Sequence, residues 1–223
     1  MYPIKIVNLA NKGLGVIATQ AIKSSQLILH EHPLVRVDKS PGSQDARQSP
    51  KCMKLMGRVM ELAKTGQFNP RSDYSSWPAE VISCYEGILN EQAKIAYDKL
   101  DDTHKQKQWM ELADVFAKND NEKSPGGIIR TNAIDCADNH ANLYEMLSRI
   151  NHSCDPNTAR ISTDNIGGVA IVANKDIEKD EEISINYMDG ADDNKAVEER
   201  RKYLMQQYHF HCQCDLCMMQ ETK

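Results

Sequence analysis

Apolar and β-branched residues concentrate at residues 4–9 and again at 16–22, each run short enough for a strand. Leu27–Val37 continues in the same manner and reads as one further strand. The pattern changes at Lys39. Ser40-Pro41-Gly42-Ser43 opens a polar loop, and beyond it the apolar positions recur at helical spacing. Met53, Met56, Met60 and Ala63 form one such set. Val81, Tyr85, Ile88, Leu89 and Ile95 form a second after a Trp77-Pro78 start signal, and Trp109, Leu112, Val115 and Phe116 a third. The methionines suit core filling better than a binding stripe. Asn119–Gly127 is polar, holds glycine and proline, and reads as a linker. From Ile128 the β-rich pattern resumes: Leu143–Ile150 is largely apolar, and Val169–Ala173 and Glu182–Tyr187 have the composition of strands. Asp192–Gln207 places Val197, Arg201 and Leu204 at helical spacing and predicts a helix leading into a cysteine-rich tail. The class expected is therefore α+β, in four parts: 1–38 β-rich, 39–126 a helical insert, 127–190 β-rich, and 191–223 a helix and tail.

Composition narrows the setting. The 223 residues suffice for one large domain, or one with a sub-domain. A net charge of −5 and a pI near 5.8 give no basic field of the kind that binds nucleic acid. No apolar run approaches membrane-spanning length, and Met1–Gly15 lacks the basic flank and apolar centre of a signal peptide. Seven cysteines, an odd number, without such a signal favour a reducing compartment and metal ligation over disulfides. The expected location is cytoplasmic, nuclear or both.

The chemistry gathers in two stretches. One is Asn151-His152-Ser153-Cys154-Asp155-Pro156-Asn157; the other runs from Tyr208 to Cys217. Cys212, Cys214 and Cys217 have C-x-C-x-x-C spacing, too tight for easy disulfide closure and suited to a tetrahedral ion. A fourth ligand is needed, and Cys154 beside the Asp-Pro-Asn turn signal is the candidate; His209 and His211 are rivals. A different reading makes Cys154 a nucleophile with His152 as its base. Lys12-Gly13-Leu14-Gly15 is either a plain hairpin turn or a close backbone approach to a ligand. Taken singly, Asn132 is a capping residue, and Tyr187, Tyr208 and Phe210 are core aromatics.

The N-H-S-C-D-P-N segment followed by a C-x-C-x-x-C tail resembles the SET-domain lysine methyltransferases with a post-SET zinc cluster, most nearly the SET-and-MYND branch. The resemblance covers about the first 36 residues and then Gly127–Cys217. It implies a β-rich SET core of small sheets, split by the insert, with a threaded C-terminal segment and a zinc-bound tail. It implies S-adenosylmethionine as cofactor, contacted by Lys12, Gly13, Leu14, Gly15, Asn132, Asn151, His152, Tyr187 and Phe210. It implies Tyr187 and Tyr208 as catalytic residues, and one structural zinc on Cys154, Cys212, Cys214 and Cys217, with His209 and His211 as bystanders. The partner expected is a protein or peptide presenting a lysine, a small molecule being the alternative, with no direct nucleic-acid or membrane binding. A SET-fold binding module without transfer activity is the other alternative. The insert departs from the branch: a MYND finger needs clustered cysteines, and Cys52 and Cys84 lie far apart. Those two and Cys136 read as buried or free thiols.

Overall fold

In the computed structural model, which describes residues 2–39, 43–69, 76–135, 140–188 and 195–221, short strands and helices alternate in blocks. The order is β1 (Ile4–Leu9), β2 (Gly13–Ala18), β3 (Leu27–Glu31), β4 (Val35–Asp38), α1 (Gln44–Gln48), α2 (Pro50–Lys64), α3 (Ala79–Asp98), α4 (Thr103–Met110), α5 (Pro125–Asn132), β5 (Ile134–Asp135), β6 (His140–Leu143), β7 (Asn151–His152), β8 (Thr158–Ser162), β9 (Val169–Ala173), β10 (Glu182–Ile185), α6 (Val197–Tyr208) and α7 (Asp215–Glu221). The chain divides into two compact units, Met1–Pro33 with Tyr144–Lys223, and Leu34–Leu143. The fold is the mixed α+β class that the hydrophobic pattern predicts, with the small sheets that the resemblance implies.

Among the described residues, the first unit holds two sheets. In one, the order is β1-β2-β10-β7: the β1–β2 hairpin is antiparallel, β10 pairs antiparallel with β2, and β7 lies parallel to β10. The other is the antiparallel β3-β9-β8. Val16, Ala18, Ile28, Ile171 and Ile183 are buried, so inward positions of both sheets carry β-branched or small side chains that fit a pleated surface, with Leu29 buried beside them. Glu31, at the end of β3, accepts backbone N–H bonds from Glu145, Met146 and Leu147 at 2.7–3.0 Å. That carboxylate fixes the start of the 3₁₀ turn Leu147–Arg149, which delivers the chain to Asn151.

The second unit packs α2, α3, α4 and α5 with the small sheet β4-β6-β5. Its main core joins Val37, Ala93, Trp109, Leu112, Ile128, Ile129, Ala141 and Leu143. α2 starts where Ser49 caps the Cys52 N–H and Pro50 fills the first turn. Cys52 and Cys84 are buried thiols here; Cys136 lies outside the described residues.

Four element expectations are corrected. Leu27–Val37 is two strands in different sheets, because Pro33 between them has no N–H for a ladder. The strand expected at 16–22 ends at Ala18, and Ile22 makes only an isolated bridge to Ile177. Of the apolar set assigned to the third helix, only Trp109 is helical; at Leu112–Phe116 the chain turns, with Asp114 accepting from the Phe116 N–H. The linker expected to end at Gly127 instead runs into α5, capped by Ser124 and started by Pro125. Its glycines are packing residues: a Cβ on Gly126 would lie 2.3 Å from Asn90 Oδ1, and one on Gly127 would lie 2.1 Å from Asp114 Oδ2. The loop at 40–42 and the predicted helix start at 192–194 fall outside the described residues.

Candidate functional site

The β1–β2 turn is the first wall. Leu9 pairs with Gly13, and Asn11 and Gly13 take left-handed φ values of 63° and 71°. Around Gly13 there is open space where a side chain would stand. Gly15 is the opposite case: a Cβ there would lie 2.4 Å from Leu9 Cδ1 and 2.7 Å from Asn151 Nδ2. The hairpin thus presses on Asn151 at a distance that only glycine permits. Asn151 Nδ2 donates to Glu182 Oε1 at 3.0 Å, and Lys12 Nζ reaches the other carboxylate oxygen at 2.5 Å.

The turn after Asn151 is pinned to β10. Asn157, almost wholly buried, donates to the Glu182 carbonyl at 2.8 Å and accepts from the Ser184 N–H at 2.9 Å. Ser153 donates its N–H to the Ile185 carbonyl.

His152 is buried between the sheet and the tail. Its Nδ1 accepts the Tyr187 N–H at 3.0 Å, which leaves the ring proton on Nε2, 3.2 Å from Cys154 Sγ. Burial, aided by the nearby Arg200 guanidinium and opposed by Cys214, lowers its pKa to about 4, so the ring is neutral. The Tyr187 ring lies 5.3 Å from that of His152, 4.9 Å from Tyr208 and 6.4 Å from Phe210. Its hydroxyl donates to the Ile150 carbonyl at 2.7 Å. Burial, with Tyr208 and Glu182 adding to it, raises the phenol above its ordinary value, so it keeps its proton.

The tail closes the site. α6 ends at Tyr208, and His209 takes a left-handed φ of 57° while donating its N–H to Met205. The chain reverses there and brings three cysteines back to Cys154. Cys154 Sγ lies 3.9 Å from that of Cys212 and 3.5 Å from that of Cys217. With Cys214, all four sulfurs fall within 4.8 Å of one another and could hold a metal ion. A tetrahedral ion with metal–sulfur bonds of about 2.3 Å sets its sulfurs about 3.8 Å apart, so the spacing fits. Crowding makes the thiols compete for charge. Cys212 and Cys214 hold Cys154 protonated, whereas donation by Cys154 and Cys212 favours the Cys214 thiolate. Ionising all four together calls for a cation.

Two arginines of α6 house this set. Arg200 is buried; its Nη2 donates to Cys217 Sγ at 3.4 Å and to Gln220 Oε1 at 2.7 Å, and its Nη1 donates to the Lys195 carbonyl. Arg201 donates to the Cys212 carbonyl and pairs with Glu221. They tie α7 to α6.

The first unit thus gathers Lys12, Gly13, Leu14, Gly15, Asn151, His152, Tyr187, Tyr208, Phe210 and the four cysteines. Asn132 belongs to the second unit, in the last turn of α5, where its amide donates to the carbonyls of Ala113 and Ile128. His30 and His32 are exposed, and the sequence reading gives them no part in the site. That reading passed over Glu182, Asn157 and Arg200. Asn157 carried a signal as the last residue of the N-H-S-C-D-P-N segment. Arg200, in Glu-Glu-Arg-Arg-Lys, has the look of a solvated charge.

A family model described as the SET domain matches residues 13–188. The chain belongs to the SET-domain family. Among curated SET-related proteins, histone-lysine N-methyltransferase set5 of Schizosaccharomyces pombe is 32% identical over 97 residues, covering 44% of this chain and 30% of that protein. Histone-lysine N-methyltransferase SMYD3 of Homo sapiens is 42% identical over 79 residues, 35% of this chain and 17% of that one. Protein-lysine N-trimethyltransferase SMYD5 of Gallus gallus is 38% identical over 78 residues, 35% of this chain and 19% of the relative. The matches therefore span less than a third of these relatives' lengths. A crystal structure of the SET domain of LSMT bound to lysine and AdoHcy aligns with 95% of this chain and 53% of that one, at 14% identity and a TM-score of 0.46. Among the described residues no helix is long and apolar enough to cross a membrane.

Proposed function

We propose that this SET-domain chain is an S-adenosylmethionine-dependent methyltransferase acting on the side-chain amine of a protein lysine. One observation carries the reading. The segment Asn151–Cys154 touches all three candidate parts at once. Asn151 meets the glycine turn, His152 meets Tyr187, and Cys154 meets the tail cysteines. The named relatives are protein-lysine methyltransferases, which supports the substrate class.

Lys12, Gly13, Leu14, Gly15, Asn151, His152, Tyr187 and Phe210 would hold the cofactor, and the fit is testable on this chain. The glycine turn leaves open space at Gly13 and allows the close approach at Gly15, and Phe210 offers an aromatic face. When bound, S-adenosylmethionine supplies a methyl group on a sulfonium. One zinc held by Cys154, Cys212, Cys214 and Cys217 would be structural, since four sulfurs leave no open coordination position.

An incoming lysine amine has an ordinary pKa of about 10.4 and must lose its proton to be a nucleophile. His152 does not take it, because both ring nitrogens are engaged. Tyr187 does not take it either, because its phenol stays protonated. Proton loss to water fits best. Tyr187, with its hydroxyl fixed by the Ile150 carbonyl, and Tyr208 would align the amine, a proximity effect. The free thiols suit the cytoplasm or nucleus.

The test is calorimetry with S-adenosylhomocysteine on zinc-loaded protein, followed by transfer from labelled cofactor to lysine peptides and metabolites side by side. Binding with transfer to peptide is expected. Binding without any transfer would make the chain a binding module; absence of binding would remove the reading altogether.

A further inference from the structure

Glu182 is where the pieces of the candidate cofactor site meet. Its carboxylate takes the Asn151 amide on Oε1 and the Lys12 ammonium on Oε2. Its carbonyl takes the Asn157 amide, so both ends of the Asn151–Asn157 segment converge on this one residue. Its backbone pairs with Ile17 in the strand that carries Gly13 and Gly15. Side-chain exposure is 23% for Glu182 and 51% for Lys12. An ion pair that exposed contributes little to stability. Its value lies in what it orients.

A carboxylate is only an acceptor. Asn151 must therefore turn its NH₂ toward Glu182, and its Oδ1 is the group left to face elsewhere. The same carboxylate occupies Lys12 and neutralises it.

We propose that Glu182 is a positioning residue for the cofactor's amino-acid end: it sets Asn151 to offer a carbonyl oxygen, an acceptor matched to an ammonium, and holds the Lys12 turn against it. The proposal rests on the cofactor reading above. A glutamine at 182 keeps the shape but adds an NH₂ donor and drops the charge, so the Asn151 orientation is no longer forced and Lys12 loses its partner.

The experiment measures binding of two probes to wild type, Glu182→Gln and Lys12→Gln. S-Adenosylhomocysteine has the amino-acid end; 5′-methylthioadenosine lacks it. Glu182→Gln should weaken S-adenosylhomocysteine by about tenfold or more, the loss of a hydrogen bond involving a charged group. It should leave 5′-methylthioadenosine within about twofold of its wild-type affinity, with unchanged zinc content and Tm. Lys12→Gln should cost less, and the double variant should cost less than the sum. Wild-type affinity for S-adenosylhomocysteine in Glu182→Gln, or an equal loss for both probes, would overturn the positioning role. Failure of the wild type to bind S-adenosylhomocysteine would instead overturn the proposed function, so the two outcomes stay distinct.

Discussion

The two halves of the candidate site are held by different means. The Lys12–Gly15 turn, Asn151 and Glu182 sit on strands whose register is fixed by backbone ladders on both sides of β2 and β10. Tyr208, Phe210 and the three tail cysteines have no ladder. They follow a helix that ends in a left-handed reversal, and their ties to the rest include thiol contacts, aromatic contacts, the Tyr208 hydroxyl on the Tyr187 carbonyl and the Arg200 and Arg201 side chains. A sheet-borne wall is built by folding itself. A tail-borne wall lacks that support, and an ion shared by four thiols is the strongest tie open to it. The difference predicts that loss of the ion should disable the second half and spare the first.

The largest effect should come from breaking that tie. Chelating the proposed zinc, or truncating after Gln207, should abolish measurable cofactor binding and transfer. Circular dichroism should keep most of its amplitude, because of the described strands and helices the removed segment takes only the short α7 and the last residue of α6. Cys154→Ala should do the same with the chain intact, since it takes one ligand from the sheet side. Full zinc retention in Cys154→Ala, or native cofactor affinity after truncation, would show that the tail does not complete the site.

Next comes Tyr187→Phe, which lies where the halves touch. The substitution keeps the ring and its contacts with His152, Tyr208 and Phe210, and removes the hydroxyl bound to Ile150. If that hydroxyl acts on the amine during transfer, kcat should fall by about a hundredfold, the scale of about 2.7 kcal/mol of transition-state stabilisation. Cofactor affinity should stay within about threefold, a span of under 1 kcal/mol. A wild-type kcat on a true substrate would move catalysis elsewhere, with Tyr208 the first candidate.

The sequence disclosed these two halves unequally. The cysteine spacing exposed the tail, because thiolates three residues apart have few other uses in a reducing setting. The glycine turn was visible, but the reason for Gly15 was not: it depends on Leu9 and on Asn151, which is far away in the chain. Glu182 looked like one of several surface acids in Glu178-Lys179-Asp180-Glu181-Glu182, and only the meeting of three segments gives it partners. Arg200 was hidden for the same reason, since a buried charge has no periodic signature. In the second unit, α5 was missed because Pro125-Gly126-Gly127 is linker composition in sequence and a capped, tightly packed helix start in space.

Gly15→Ala sharpens the comparison from the sheet side. Its backbone is ordinary, so the cost is steric: Leu9 and the Asn151 amide must give way. A destabilisation of about 1–3 kcal/mol is expected, the range for overpacking, with weaker cofactor binding because Asn151 moves. Urea melts and calorimetry check both. Zinc content should match that of the wild type, because the tail shares no ladder with this hairpin. Unchanged stability and affinity would mean that Leu9 and Asn151 relax freely and the close approach sets nothing.

Gly13→Ala isolates a smaller term in the same turn. A Cβ at Gly13 meets nothing within 4 Å, yet φ is 71°. The tail meets the same left-handed demand with a non-glycine residue, His209, at φ 57°. The Gly13→Ala cost is therefore backbone strain alone, roughly 1–2 kcal/mol for an L-residue in that region, partly offset by the lower chain entropy of unfolded alanine. A net loss of about 1 kcal/mol should lower Tm by about 2–4 °C in a chain of this size. Gly13→Asn should lose less, because asparagine tolerates the left-handed region. Equal losses for alanine and asparagine would point to a contact the turn makes through Gly13 rather than to its backbone. A loss much above 2 kcal/mol for both would mean that the turn, like the tail, is held by something other than its ladder.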